Sequence, residues 1–255
     1  MLNQDSTHRF SSRVKNYVRY RPGYPREIIG LLKKECGLQP EHVIADIACG
    51  TGIFTKLLLE NGNRVIGVEP NAEMRKAGEE YLKDYPNFDV VVGTAEATTL
   101  PAQSIHIVTA AQAAHWFDRR KAHIEFQRIL RPHGWLVLIW NERRVESAFG
   151  YFYEQLLQTY GTDYAQVQVR DKSTMTEIAE FFEPASFKEF TFPSEQQFDY
   201  AGLLGRLLSS SYAPEAGHPQ HESMLRALQS LFNQYQQNGY VAMEYNTKVY
   251  FGQLT

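Results

Sequence analysis

The sequence predicts an α/β fold: a doubly wound, mostly parallel, seven-stranded sheet with helical lid insertions. Strand and helix signals alternate through the first 140 residues, as βαβ units require. The run from Val43 to Thr55 takes an apolar strand into a helix through two close glycines. Trp135 to Trp140 is apolar enough to be buried on both faces, as parallel strands are.

The elements follow in order. Tyr24-Pro25 ahead of Ile28, Ile29, Leu31 and Leu32 predicts a helix with proline near its start. Strand one is Val43 to Ile47, and its helix runs from about Ile53 to Glu60, where Asn61-Gly62 stops it. Strand two spans Arg64 to Glu69, after which Asn71 caps a helix carrying Met74, Ala77 and Tyr81. Strand three covers Phe88 to Val92 and strand four Ile105 to Ala110. A helix capped by Asp118 then ends at Arg131-Pro132-His133-Gly134, before strand five, Trp135 to Trp140.

Beyond residue 141 the pattern changes. Phe149 to Tyr160 and Thr174 to Phe182 have helical spacing, and Phe187 to Phe192 reads as a strand. Phe198 to Ser209 and His221 to Gln237 are helical again, and Tyr240 to Phe251 alternates as a strand pair or one long strand. The expected organisation is a single domain, 1–255. Residues of about 40–140 form a cofactor-binding core, 142–240 a largely helical lid and substrate region, and 241–254 the last strand.

The chemistry gathers where strand one becomes a helix. Small residues at Ala48, Gly50 and Gly52, with Thr51 between them, let the backbone approach a ligand. Asp46 adds a fixed anion, and Glu69, at the end of strand two, is placed to hold both hydroxyls of a ribose. A dinucleotide fold would want a third glycine where Thr55 stands, and its pyrophosphate gains little from Asp46. An acid there suits the positive amino-acid end of S-adenosylmethionine, near its sulfonium.

Asp46-Ile47-Ala48-Cys49-Gly50-Thr51-Gly52 resembles the first motif of class I S-adenosylmethionine-dependent methyltransferases, usually written D-x-G-C-G-x-G, with Ala48 replacing the first glycine. Glu69 resembles that Rossmann-like family's ribose acid. Gly93-Thr94-Ala95-Glu96 with Leu100-Pro101 resembles its adenine loop, although Thr94 stands where an acid more often follows the glycine. Arg128 to Gly134 resembles the helix and turn before strand five. Tyr20-Arg21-Pro22-Gly23-Tyr24-Pro25 and Ala111-Gln112-Ala113-Ala114-His115-Trp116-Phe117-Asp118 are similar to segments of the small-molecule group that includes the trans-aconitate methyltransferases. The resemblance implies S-adenosylmethionine as cofactor, held by Asp46, Ala48, Gly50, Thr51, Gly52, Glu69, Pro70, Met74, Ala95, Glu96, Gln112, Tyr20 and Arg21. It also implies an enzyme of monomer size, expected as a monomer or weak homodimer, that acts on a small acceptor.

His115, in the loop after strand four, has the intrinsic pKa of a base that could strip a proton from the acceptor. Trp116, Arg143, Arg144, Ser211 and Tyr212 are the candidate acceptor residues, and Arg21, Arg143 and Arg144 favour a carboxylate. The alternatives are an amine or phenol acceptor, or a protein that binds the cofactor without turnover. With a net charge of -3 the chain lacks the basic excess of nucleic-acid binders. No apolar run approaches the ~20 residues that span a bilayer, and Met1 to Asp5 opens no signal peptide, so a cytoplasmic protein without a membrane partner is expected. Cys36 and Cys49 predict two free thiols and no metal site.

Overall fold

The computed structural model describes residues 14–171 and 174–254. In chain order come α1 (Val14–Tyr20), α2 (Glu27–Glu35), β1 (Val43–Ile47), α3 (Ile53–Glu60), β2 (Arg64–Val68), α4 (Ala72–Tyr81), β3 (Phe88–Val91) and β4 (Ile105–Ala111). Then follow α5 (Arg119–Ile129), β5 (Leu130–Arg143), α6 (Ala148–Tyr160), α7 (Tyr164–Asp171), α8 (Met175–Ala179), β6 (Lys188–Phe198), α9 (Tyr200–Leu208), α10 (His221–Tyr235) and β7 (Val241–Gln253). The strands make one seven-stranded sheet in the order β3-β2-β1-β4-β5-β7-β6. Only β7 runs antiparallel, against β5 and β6. The order reverses between β1 and β4, and a crevice opens outside their carboxyl ends, where open α/β sheets bind ligands.

Both faces of the sheet are covered, which is why its central strands are apolar throughout. On one face Ile28 and Leu32 of α2 meet Phe54 and Leu58 of α3 over Ile44, Ile107 and Ile139. On the other, Phe126 and Ile129 of α5 pack with Ile178, Phe181 and Phe182 over Ala45, Val108 and Leu138. Each such Leu, Ile or Phe contributes about 1.5–3 kcal/mol by leaving water. Asn71 and Asp118 cap α4 and α5 as expected, the first accepting from the amides of Glu73 and Met74, the second from that of Lys121.

A third apolar cluster builds the lid. Phe149, Tyr153 and Leu157 of α6 pack with Leu203 and Leu207 of α9, Leu228 and Phe232 of α10, and Met243 and Tyr245 of β7. The long β6–β7 ladder, from Lys188↔Phe251 to Phe198↔Val241, joins this cluster to the sheet.

Several elements differ from the sequence expectation. The first long helix begins at Glu27, after Pro25 rather than around it. Strand β5 extends past both ends of Trp135 to Trp140, because Leu130 pairs with Ile105 and Arg143 with Tyr245. The intervening Arg131-Pro132-His133-Gly134 is taken up as a register shift with His133 at φ +64. Strand β6 runs on through Pro193 to Phe198, which the missing proline N–H permits because β6 is the sheet's edge. Helix α8 is shorter than the predicted Thr174 to Phe182, and Tyr240 to Phe251 resolves into the single strand β7. Among the described residues, no helix is long and apolar enough to cross a membrane.

Candidate active site

A cavity of about 970 Å³ lies in the crevice beyond β1 and β4. At one end the loop after β1 folds back on itself, with Ala48 at φ +52, Gly50 at +57 and Gly52 at +81. An alanine held in the left-handed region is strained, a feature that clusters where a backbone must face a ligand. Glu69 spans the loop and the next helix: its Oε2 accepts from the Gly50 amide and its Oε1 from the Asn71 amide, both at 2.9 Å. Burial raises its pKa, opposed by those two amides.

Asp46 lies beneath, 1% exposed. Its Oδ2 accepts from Thr55 Oγ1 at 2.6 Å and its Oδ1 from Thr109 Oγ1 at 2.8 Å. Burial pushes its pKa up to about 6, against the pull of the two hydroxyls and with a smaller upward push from the Glu69 charge. A carboxyl raised in the folded state stabilises fully below its unfolded value near 3.8, and that contribution is lost as pH rises through about 6. The melting temperature of the wild type, less that of Asp46→Asn, should therefore fall between pH 4 and 7 in ligand-free protein. A difference that grows over that range would show the burial argument to be wrong.

Across the crevice the chain leaves β4 at Gln112, another non-glycine at positive φ (+56), whose Nε2 donates to Asn141 O at 3.0 Å. A short 3-10 turn, Ala114–Trp116, follows and carries His115 and Trp116, their ring centroids 5.3 Å apart. Glu96 Oε1 accepts from the Asp118 amide at 2.8 Å, fixing the loop after β3 to the start of α5.

At the lid end, Arg143 pairs with Glu154 and donates to Tyr164 Oη at 3.0 Å, while Tyr164 Oη donates to Glu154 Oε2 at 2.7 Å. The Arg143 guanidinium also lies over the Tyr153 ring, 5.1 Å from its centroid. Arg21 Nη2 donates to Ser209 O at 3.1 Å. Tyr212 lies among these cations: burial alone would raise its pKa, but Arg143, Arg206 and Arg21 bring it below the usual phenol value.

Of the residues singled out in the sequence, the cavity is lined by Asp46, Ala48, Gly50, Thr51, Glu69, Pro70, Met74, Ala95, Glu96, Gln112, His115, Trp116, Arg21, Arg143, Ser211 and Tyr212. Three stand elsewhere. Gly52 is the left-handed N-cap of α3 and packs on Leu82. The Tyr20 ring packs so tightly on Gly205 of α9 that no Cβ would fit there. Arg144 pairs with Glu146 at 3.4 Å and Glu244 at 4.0 Å, away from the cavity. The side chain of Tyr17 lies outside the described residues.

A family model described as a methyltransferase domain matches residues 45–138. An uncharacterized methyltransferase of Mycobacterium tuberculosis is 36% identical over 174 residues, covering 68% of this chain and 67% of its own. The chain belongs to the methyltransferase family.

Solved structures agree on the fold of this methyltransferase. One from Anaeromyxobacter dehalogenans gives a TM-score of 0.65 at 21% identity, over 92% of this chain and 98% of that one. An N-methyltransferase from Haemonchus contortus, solved with S-adenosylhomocysteine, gives 0.56 at 13% identity, over 98% of this chain and 58% of that one.

The methyltransferase takes its methyl group from S-adenosylmethionine, and the residues present fit that donor. Two carboxylates, Asp46 and Glu69, are buried at one end of the cavity with raised pKa values, the state a cationic ligand would relieve. The nearby Arg75 is committed to the carbonyls of Glu69 and Pro70 at 2.8 and 2.7 Å.

Sequence reasoning missed the lid contribution to the methyltransferase's cavity: Glu154, Tyr164, Arg206 and Tyr245 line it with the expected residues. One signal was available for Arg206. It is the only charge in the apolar helix Tyr-Ala-Gly-Leu-Leu-Gly-Arg-Leu-Leu, with no acid three or four residues away on either side.

Proposed function

We propose that this methyltransferase moves the donor methyl to a small acceptor held between His115 and the lid, and that the receiving atom is a carboxylate oxygen, as in the trans-aconitate group its motifs resemble. The observation that carries this reading is the single cavity joining the buried acids Asp46 and Glu69 to an end lined by Arg21, Arg143 and Tyr212. In this reading Glu69 holds the ribose hydroxyls and the amides around Gly50 face the amino-acid moiety. Asp46 supplies the anion for the ammonium, and Ala95 and Glu96 border the adenine. Bound S-adenosylmethionine supplies an electrophilic methyl on a sulfonium, open to in-line displacement. The chain's task is then to orient the acceptor oxygen and exclude water. His115 and Trp116 border that space from the β4 side, and Ser211 and Tyr212 from the lid.

A carboxylate is already ionised at pH 7, so no base is needed. Calorimetry with S-adenosylhomocysteine tests the cofactor half, and mass spectrometry of pooled small metabolites for the gain of one methyl finds the acceptor. With that acceptor, His115→Ala should lower turnover only modestly and leave it nearly flat from pH 6 to 8. A loss on the order of 10²–10⁴-fold, with a neutral titration in the wild-type rate that the variant abolishes, would instead make His115 the base for an amine or phenol.

A further inference from the structure

We propose that the lid end of the cavity is an anion-binding subsite in which the Arg206 guanidinium receives a carboxylate or phosphoryl group of the acceptor, separate from the atom that takes the methyl. The inference rests on the methyl-transfer reading above. Arg206 projects from α9 into the cavity wall and is only 5% exposed. Its Nη1 donates to Ser210 Oγ at 3.0 Å, and its Nε has no hydrogen-bond partner. The titratable groups facing it are the phenols of Tyr153, Tyr212 and Tyr245, and the Tyr245 hydroxyl lies within hydrogen-bonding reach of the guanidinium.

Glu154 accepts from Arg143, Tyr164 and Gln158. Among the described residues no carboxylate forms an ion pair with Arg206, so the lid end holds more buried positive charge than negative. A buried, unpaired charge is costly, and cavities that carry one are completed by a counter-ion. A guanidinium is planar and always protonated, and presents its N–H groups as a fork that fits two oxygens of a carboxylate or phosphate. Both oxygens of a carboxylate held this way are engaged, so the methyl must go to another group of the same molecule.

The test is calorimetric titration of succinate, and separately of inorganic phosphate, into protein saturated with S-adenosylhomocysteine in low-chloride buffer. At least one anion should bind the wild type and raise its melting temperature. Binding of succinate alone identifies a carboxylate site, and of phosphate alone a phosphoryl site. Arg206→Met should weaken that anion at least about 10-fold, the scale of a lost charged hydrogen bond, and Arg206→Lys should weaken it less. Ligand-free Arg206→Met should melt no lower than the wild type, because an unpaired buried charge has been removed. Equal anion binding by wild type and Arg206→Met, or no binding by the wild type, overturns the subsite. So does loss of cooperative melting in both variants, which would mark the guanidinium as a structural element. If Arg206→Met instead weakens S-adenosylhomocysteine about 10-fold, the guanidinium holds the cofactor's own carboxylate and the proposal fails. If the wild type does not bind S-adenosylhomocysteine at all, the methyl-transfer reading is what fails, and titrating the anions into ligand-free protein still decides the subsite.

Discussion

Gly52→Ala is expected to destabilise the protein by roughly 2–5 kcal/mol, lowering the melting temperature by roughly 5–15 °C for a chain of this size. Two independent costs add. Gly52 holds φ +81, where a Cβ costs about 1–2 kcal/mol. That Cβ would also stand 2.5 Å from Leu82 Cδ1, inside a fully buried side chain, and overpacking costs about 1–3 kcal/mol. Gly30→Ala is the control, because a Cβ at Gly30 meets nothing within 4 Å and the residue lies inside α2. It should leave the melting temperature unchanged or raise it slightly. Combining Gly52→Ala with Leu82→Ala separates the costs: overpacking is relieved and the backbone cost stays, so the two losses should be less than additive. A Gly52→Ala protein that melts with the wild type would mean that the turn can be rebuilt without its left-handed residue.

Glu69→Ala is expected to weaken S-adenosylhomocysteine binding by about 1.5–3 kcal/mol, some 10- to 150-fold in dissociation constant. The carboxylate has two duties. In the proposed reading it offers charged acceptors to a ribose, and by accepting from the amides of Gly50 and Asn71 it ties the glycine loop to the cap of α4. Alanine removes both and leaves those amides without their acceptor. Glu69→Gln keeps one carbonyl acceptor and the shape, so it should lose less affinity and less stability than alanine. If affinity for the nucleoside is unchanged in both variants while the melting temperature falls, the carboxylate is a brace for the loop and holds no ribose.

The gathering of Asp46, the glycine loop and Glu69 at one end of the cavity was legible in the sequence because its parts are local. Asp46, the loop at 48–52 and Glu69 lie in one βαβ unit, where the ends of two adjacent strands must sit side by side. The turns that bound those strands are marked by Gly62, Asn71 and Asp118, and β1 to β4 end within a residue of where the pattern puts them. The lid end was harder to read. Arg143 and Arg144 are neighbours with the same chemistry, yet only Arg143 lines the cavity. Arg143 is the last residue of β5, whereas Arg144 lies just past its end, where its amide donates to Glu244 O and β7 supplies the Glu244 carboxylate to its side chain. Helix α7 went unread because Tyr164–Asp171 is short and weakly patterned, and Tyr20 was assigned to the cofactor although α9 claims its ring.

By itself the sequence determined the alternation of strands and helices, the parallel sheet, the strained glycine turn and the two acids that flank it. Each is set by hydrophobic period, turn chemistry or separations of a few residues. Only the tertiary structure decided which lid residues reach the cavity. Arg21 follows α1, and Glu154, Arg206 and Tyr245 come from α6, α9 and β7, far apart along the chain. The balance of charge among them depends on which side chains pair after packing, and so does the buried, unpaired guanidinium of Arg206. Ion pairing acts over ångströms in space whatever the separation in sequence, and no local pattern along the chain records it.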